Sequence, residues 1–226
     1  GGRTALKRIG AITIGQAPRT DILTDIAPIL GNDVEFIQVG ALDHLSLEDV
    51  QALRPNGNGN TLVSRMRDGT AVTLQEQKIF PLIQQCIDEL EQQGVLAILL
   101  MCTGEFPNIF TSCVPLIYPS KIICKIVSAL HNVKSLGVIT PDADQISDIV
   151  KKWEKVVPEV VPVLWNPYLE DFSSGAVKQL KNSHVDLVVM DCFGYSKIMR
   201  DFVAQSIGKP IVLSRTISAR LLLEII

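Results

Sequence analysis

The chain alternates between short, mostly apolar runs and longer amphipathic stretches. The apolar runs have the length of strands and are bounded by turn residues, which predicts buried strands. They lie at 9–14, 34–39, 95–101, 135–140, 160–164, 187–190 and 211–213. Strands and helices that follow one another in this way indicate an α/β fold, with mostly parallel sheets and helices on both faces.

The stretches between these runs place apolar residues three or four positions apart, which is typical of helices with one buried face. Predicted helices cover 20–30, 46–53, 79–90, 119–130, 146–156, 174–181, 198–207 and 218–226. Two further short strands, 62–65 and 71–74, flank Asp68-Gly69, a pair that favours a hairpin turn.

An internal repeat divides this pattern into two halves. Residues 8–13 (RIGAIT) match 135–140 (SLGVIT), and the strand that ends in Cys102-Thr103-Gly104 matches the strand that ends in Cys192-Phe193-Gly194. The first half is longer because it carries an insertion at about 46–75, with a helix, a glycine-rich loop and the hairpin. We therefore predict two pseudo-symmetric α/β subdomains with a ligand cleft between them.

Cys102 and Cys192 occupy matching places in the repeat, each at the end of a strand and two residues before a glycine. Ligands of parallel α/β sheets bind at the carboxyl ends of the strands. Two such ends could hold two thiols on opposite sides of one small molecule, as acid and base. Free cysteines often only pack in a core, and we interpret Cys86 and Cys124, inside helices, in that way.

A second candidate site is the turn that enters the first helix. Helix N-termini attract anions, and the Arg19 guanidinium suits a carboxylate, so we predict carboxylate binding by Gly15, Gln16, Arg19 and Thr20. An ordinary solvated loop is the alternative interpretation.

Further candidates for ligand binding lie near the ends of the predicted strands. They are Thr103, Gly104, Thr140, Phe193, Gly194, Tyr195, Ser214 and Arg215. Tyr195 either lies over the site or packs in the core, and Arg215 either lines the cleft or pairs with a surface acid. Asp191 should point away from Cys192 because side chains alternate along a strand, so we interpret it as structural.

Composition excludes several classes of function. The chain is 47% hydrophobic and 20% charged with a net charge of −3, and without a Lys/Arg-rich run it should bind no nucleic acid. Its apolar runs are too short for a bilayer. Three histidines and five cysteines without CxxC spacing predict no metal site. The Asn56–Asn60 loop lacks the lysine of a phosphate-binding loop. We expect no cofactor and, without an export signal, a cytoplasmic protein with reduced thiols.

The chain resembles the AroM family, within the aspartate/glutamate/hydantoin racemase superfamily that also includes maleate isomerases and arylmalonate decarboxylases. The resemblance covers nearly all residues after about Lys7. It rests on four segments: Thr13-Ile14-Gly15-Gln16-Ala17-Pro18-Arg19, Leu99-Leu100-Met101-Cys102-Thr103, Met190-Asp191-Cys192-Phe193-Gly194-Tyr195, and Leu213-Ser214-Arg215 with Ala219-Arg220-Leu221.

This resemblance implies two domains related by a pseudo-twofold axis, with a last helix that returns to the first. The predicted subdomains are therefore 1–115 with 214–226, and 116–213. It also implies catalysis without a cofactor by Cys102 and Cys192. Amino-acid racemases have Cys-Asn-Thr and Cys-Thr-His where this chain has Cys102-Thr103-Gly104 and Cys192-Phe193-Gly194, so aspartate or glutamate is not implied as substrate.

The leading hypothesis is a racemase or isomerase that acts at the carbon next to a carboxylate, with Cys102 and Cys192 as acid and base. The expected partner is a small carboxylate ligand, and a homodimer is left open. Two alternatives remain: a small-carboxylate-binding or regulatory protein without catalysis, and a decarboxylase that uses one thiol.

Overall fold

Two parallel four-stranded sheets form the frame of the molecule. The computed structural model describes residues 5–57, 59–170 and 172–226, so Asn58 of the predicted Asn56–Asn60 loop lies outside the described residues. The strands of the first sheet are β1 (Lys7–Thr13), β2 (Val34–Gly40), β5 (Ala97–Leu100) and β6 (Leu116–Ile117). Those of the second are β7 (Ser135–Thr140), β8 (Glu159–Leu164), β9 (Leu187–Met190) and β10 (Ile211–Leu213).

The two sheets repeat one topology. Their strand orders are β2-β1-β5-β6 and, read in the same sense, β8-β7-β9-β10. All pairs within them are parallel, which confirms the predicted α/β class. The order also matches the sequence repeat, because β1 pairs with β5 as β7 pairs with β9.

Eight α-helices connect and cover the sheets in the described part of the chain. They are α1 (Thr20–Leu30), α2 (Leu47–Ala52), α3 (Glu76–Gln92), α4 (Pro119–Ser128), α5 (Ile146–Glu154), α6 (Ser174–Ser183), α7 (Lys197–Ile207) and α8 (Ser214–Ile225). None of these described helices is long and apolar enough to cross a membrane.

Each sheet is buried on both faces. The first packs against α3 on one side and against α1 and α8 on the other. The second has α6 and α7 on one face and α4 and α5 on the other. Strands covered on both faces carry apolar side chains in both directions, which explains the continuous apolar runs in the sequence. We call each sheet with its helices a half of the molecule, and α8 belongs to the first half.

Several element bounds shift by one to three residues, and two details differ more from the sequence prediction. The last helix begins at Ser214 instead of 218, directly after β10, because no turn residue separates them. A short strand at Leu116–Ile117 pairs with β5, so the first sheet continues past the predicted boundary at residue 115.

The insertion of the first half packs against the main core and does not form a separate unit. Its helix α2 begins at a capping box, in which the Ser46 hydroxyl accepts from the Asp49 N–H and Asp49 accepts from Ser46. Strands β3 (Thr61–Arg65) and β4 (Ala71–Gln75) form the predicted antiparallel hairpin. Leu62 and Leu74 anchor this hairpin in the core beside α3.

Candidate active site

The structure brings Cys102 and Cys192 to one pocket between the two halves. Cys102 follows β5 and Cys192 follows β9, each a central strand of its sheet, and both side chains are buried. We call the site the cysteine pocket. Its lining includes Ile14, Arg19, the hairpin residues 61–64, Glu76, residues 101–105, Gln145, Asp148, Lys152, Tyr168 and residues 191–193. The thiols are close enough for the charge of one to raise the pKa of the other.

The glycine two residues after each cysteine is closely packed. A Cβ on Gly194 would lie 2.7 Å from the Tyr168 hydroxyl, and one on Gly104 would lie 2.9 Å from Leu62 Cδ2. The Gly194 N–H donates to Cys192 Sγ at 3.4 Å, and the Gly104 N–H interacts in the same way with Cys102. The repeated Cys-x-Gly pattern therefore builds a turn that supplies an N–H to each sulfur.

Burial dominates the acidity of both thiols. It raises the pKa of Cys102 to about 12, and it also raises the pKa of Cys192. The Gly194 N–H, the positive charge of Arg19 and the Tyr168 hydroxyl oppose this rise at Cys192. At Cys102 the Glu76 carboxylate adds to the rise and Lys152 opposes it. In the free protein at neutral pH, Cys102 is thus a neutral thiol that can donate a proton.

This burial predicts the order in which the cysteines react. Iodoacetamide should modify the exposed Cys113 first and Cys102 more than about 100-fold more slowly near pH 8, because only the thiolate is an efficient nucleophile. Mass spectrometry of tryptic peptides over time measures each rate. A Cys113→Ser variant is the control that removes the fast site. Alkylation of Cys102 as fast as that of Cys113 would contradict the protonated state.

Arg19 reaches the cysteine pocket, but the rest of its turn does not. The N–H groups of Gln16, Ala17 and Arg19 already donate to Arg65 O, Asp43 Oδ1 and Gln38 Oε1. Among the described residues that line the pocket, Gly15, Gln16 and Thr20 are absent. A carboxylate in this pocket would therefore meet the Arg19 side chain rather than the backbone of the turn, and carboxylate binding by Gly15, Gln16 and Thr20 stays a prediction.

The Arg19 guanidinium is held in place by Asp21. Its Nε and Nη2 atoms donate to the two carboxylate oxygens of Asp21 at 2.9 and 2.8 Å. Burial opposes the charged carboxylate, yet the hydrogen bonds and charge of Arg19 hold the pKa of Asp21 below its usual value. The guanidinium also lies 5.5 Å from the centre of the Tyr168 ring. Arg19 is thus a buried cation with a fixed direction.

The other predicted residues divide between the pocket and its support. Thr103, Gly104 and Phe193 line the pocket, while Gly194 lies directly behind it. Thr140 is buried and donates to Gln145 Oε1 at 3.3 Å. The Tyr195 hydroxyl donates to Trp165 O at 2.6 Å within the core, as the core-packing interpretation expects, and Tyr195 is not part of the described pocket lining.

Ser214 and Arg215 support the Cys192 turn from behind and are not part of the described pocket lining. The Ser214 hydroxyl donates to Met190 O at 2.6 Å. Arg215 is almost fully buried, donates to the carbonyls of Phe193 and Gly194, and pairs with Asp25 at 2.7 Å. The acid that it pairs with lies on α1 and is itself largely buried.

A buried ion pair in the pocket lining could not be recognised from the sequence. Lys152 Nζ donates to Asp191 Oδ2 at 2.9 Å and to Thr103 O at 3.3 Å. Trp153 Nε1 donates to the same Asp191 oxygen at 2.9 Å. The Thr103 hydroxyl donates in turn to Asp191 O at 3.1 Å. These contacts tie the residue after Cys102 to the residue before Cys192.

The hairpin insertion forms one wall of the cysteine pocket. Residues 61–64 line it, and Gln145 of the second half donates to Thr61 O at 2.9 Å. Glu76, at the start of α3, is also in the lining, and burial raises the pKa of its carboxyl. Across the described residues, no group of His, Cys, Asp and Glu side chains is arranged to hold a metal ion.

The family model described as AroM protein matches residues 9–226. No curated protein sequence matches the chain.

Several solved structures share the fold over nearly the whole chain. Aspartate racemase of Picrophilus torridus is 13% identical with a TM-score of 0.63, covering 96% of this chain and 93% of that one. Unliganded arylmalonate decarboxylase is 15% identical with a TM-score of 0.61, covering 96% and 92%. Maleate cis-trans isomerase of Nocardia farcinica, bound to TRIS, is 13% identical with a TM-score of 0.61, covering 97% and 92%. At these identities the likeness establishes the fold alone.

Proposed function

Because the chain belongs to the AroM family and has the fold of the aspartate/glutamate/hydantoin racemase superfamily, we propose that it is a racemase or isomerase that needs no cofactor. It acts at the carbon next to a carboxylate. The observation that carries this proposal is the pair of thiols, Cys102 and Cys192, which come from equivalent strand ends and line one pocket.

The proposed reaction moves two protons. The thiolate of one cysteine takes the proton from the α-carbon, and the electron pair of the broken C–H bond delocalises into the carboxylate. The thiol of the other cysteine then gives its proton to the opposite face of the same carbon. Afterwards the first cysteine is a thiol and the second a thiolate, so the next turnover starts in reverse or after exchange with solvent.

Arg19 is the proposed partner of the substrate carboxylate. It is the cation of the first turn that lines the pocket, and Asp21 fixes its direction. A nearby cation stabilises the negative charge that grows on the carboxylate as the α-proton leaves. Burial of Arg19, which is 3% exposed, strengthens this effect, because charges interact more strongly in a poorly hydrated site.

A decarboxylase is the second candidate, favoured by the raised pKa of Cys102. After loss of carbon dioxide only one proton must be delivered to the carbanion, and a buried neutral thiol with a pKa of about 12 is suited to deliver it. In that reaction Cys102 is the acid and Cys192 is dispensable.

Serine substitutions separate these functions. For racemisation, Cys102→Ser and Cys192→Ser should each lower α-hydrogen exchange by about 10²–10⁴-fold, since each face needs its own proton carrier. The measurement is NMR in deuterated water with single enantiomers of 2-amino, 2-hydroxy and 2-phenyl carboxylic acids. Disubstituted malonates test decarboxylation, which only Cys102→Ser should suppress.

Cys86→Ser is the matched control, because Cys86 is also a buried cysteine but lies in α3 outside the described pocket lining. It should leave exchange unchanged. If the wild-type protein binds these acids yet neither exchanges hydrogen nor releases carbon dioxide, catalysis is refuted and the small-carboxylate-binding function remains.

A further inference from the structure

Tyr168 is a pocket residue to which neither the sequence analysis nor the reaction above gives a role. It lies between β8 and α6 in the second half and lines the cysteine pocket. The Arg19 and Arg65 guanidinium carbons of the first half lie 5.5 and 5.4 Å from its ring centre. A cation near a tyrosine ring is attracted by the ring electrons, so these contacts hold the ring across the cleft.

The hydroxyl of Tyr168 rests on the Cys192 turn. The 2.7 Å between this hydroxyl and the place of a Cβ on Gly194 shows that only glycine leaves room for it. Pro167 packs against the same glycine, with its Cγ 2.8 Å from the position of a Cβ on Gly194. The glycine two residues after Cys192 therefore admits a hydroxyl group to the side of the thiol.

The chemistry of this hydroxyl suits a donor. Burial raises the pKa of Tyr168, so it keeps its proton. Its interaction with Cys192 lowers the pKa of that thiol, which burial raises. At the other thiol, the positive charge of Lys152 is already paired with Asp191, and the Glu76 carboxylate opposes a thiolate. The two sulfurs thus have unlike surroundings, although their strands are equivalent.

We propose that the Tyr168 hydroxyl donates a hydrogen bond to the thiolate form of Cys192 and thereby makes Cys192 the base and Cys102 the acid. The assignment of base and acid rests on the proposed function, whereas the hydrogen bond does not. Cys192 as thiolate takes the α-proton, Cys102 gives its own proton to the opposite face, and Tyr168 keeps its proton throughout.

Several titratable or charged groups surround the Cys192 sulfur and contribute to its titration. They come from the turn before α1, the end of β5, the loop after β8 and the turn after β9: Arg19, Cys102, Tyr168, Asp191 and Tyr195. Deleting the Tyr168 hydroxyl leaves the other four groups in place, so the contribution of this hydroxyl to the titration of Cys192 is measurable.

The test is Tyr168→Phe, with Tyr118→Phe as the matched control because Tyr118 lies outside the described pocket lining. Iodoacetamide alkylation of each cysteine is followed by mass spectrometry from about pH 7 to pH 11. Tyr168→Phe should slow the alkylation of Cys192 about tenfold at a fixed pH, which corresponds to one pKa unit. Cys102 should change less than about twofold, since its own N–H partner is intact.

The alkylation readout needs no substrate, so it separates this proposal from the proposed function. An unchanged Cys192 profile in Tyr168→Phe, or equal slowing of both thiols, overturns the proposal. Absence of α-hydrogen exchange in the wild-type protein contradicts the proposed function but leaves the hydrogen bond to be decided by alkylation.

Cys86 provides an internal check of folding, because it is buried in α3 and should stay slow. If Tyr168→Phe exposes Cys86, Gly194→Ala takes its place as the test variant. This alanine pushes the hydroxyl from the turn without deleting it, and it should also slow Cys192 selectively. Equal Cys192 rates in Gly194→Ala and the wild type overturn the proposal.

Discussion

Arg215→Met should lower the free energy of unfolding by about 3–5 kcal/mol, the usual cost of removing one partner of a buried ion pair. Arg215 donates to Phe193 O at 3.0 and 2.8 Å and to Asp25 at 2.7 Å. The methionine keeps much of the packing volume but leaves these acceptors without their donor. Unfolding by urea, followed by fluorescence, measures the change.

The same substitution should loosen the turn that carries Cys192, because the two turn carbonyls lose their support. Alkylation of Cys192 should therefore speed up relative to Cys86. Arg220→Met is the matched control, since Arg220 lies on the same helix and is exposed, and its effect should stay within about 0.5 kcal/mol. Equal stability of the two variants would show that the Arg215 contacts contribute nothing.

Arg215 illustrates what sequence reasoning can and cannot supply. Its place after a strand predicted a residue near the cleft, and the structure puts it directly behind the Cys192 turn. Its direction could not be predicted, because the return of the last helix to the first domain does not say which α1 side chain faces the guanidinium. Only this tertiary contact brings Asp25 to the guanidinium.

The fold followed from patterns that the elements impose locally. Strands buried on both faces must be apolar throughout, so β1, β5, β7 and β9 were recognised from their runs. The two-residue strand β6 was missed because it is too short to show a period. The start of α8 was missed because β10 passes into it without a turn residue.

The candidate site was predictable where the repeat marked it. Cys102 and Cys192 stood out because two equivalent strand ends carry the same residue before a glycine. Tyr168 lies in the loop after β8, and the closeness of its hydroxyl to Gly194 is a three-dimensional fact. A lone aromatic residue after Asn166-Pro167 gives no signal that separates a pocket residue from a surface one.

Lys152 was hidden for a different reason. Its neighbour Lys151 is exposed, whereas Lys152 is 3% exposed, and adjacent lysines on an amphipathic helix look alike in sequence. The one that turns inward finds Asp191 only because α5 packs on the second sheet beside β9. A buried lysine is retained where a partner offsets the loss of its hydration.

Lys152→Met should therefore destabilise the protein by about 3–5 kcal/mol, because it leaves the Asp191 carboxylate buried without its cation. The side chain of Asp191 is fully buried, so water cannot replace the ammonium without opening the site. Lys151→Met is the matched control on the same helix and should change stability by less than about 0.5 kcal/mol. Urea unfolding measures both, and Trp153, which also donates to Asp191, supplies a local fluorescence signal.

The double variant Lys152→Met/Asp191→Leu decides why the single variant is unstable. If the cost comes from the unpaired carboxylate, removing it should recover most of the loss, since apolar residues often replace a buried pair at little cost. Stability should then be non-additive by more than about 1 kcal/mol, as expected for residues in direct contact. Additive losses would instead assign the cost to packing. Recovery of stability without recovery of α-hydrogen exchange would show that the ion pair also serves the two thiols, because it ties Thr103 beside Cys102 to Asp191 beside Cys192 and its charges act on both sulfurs.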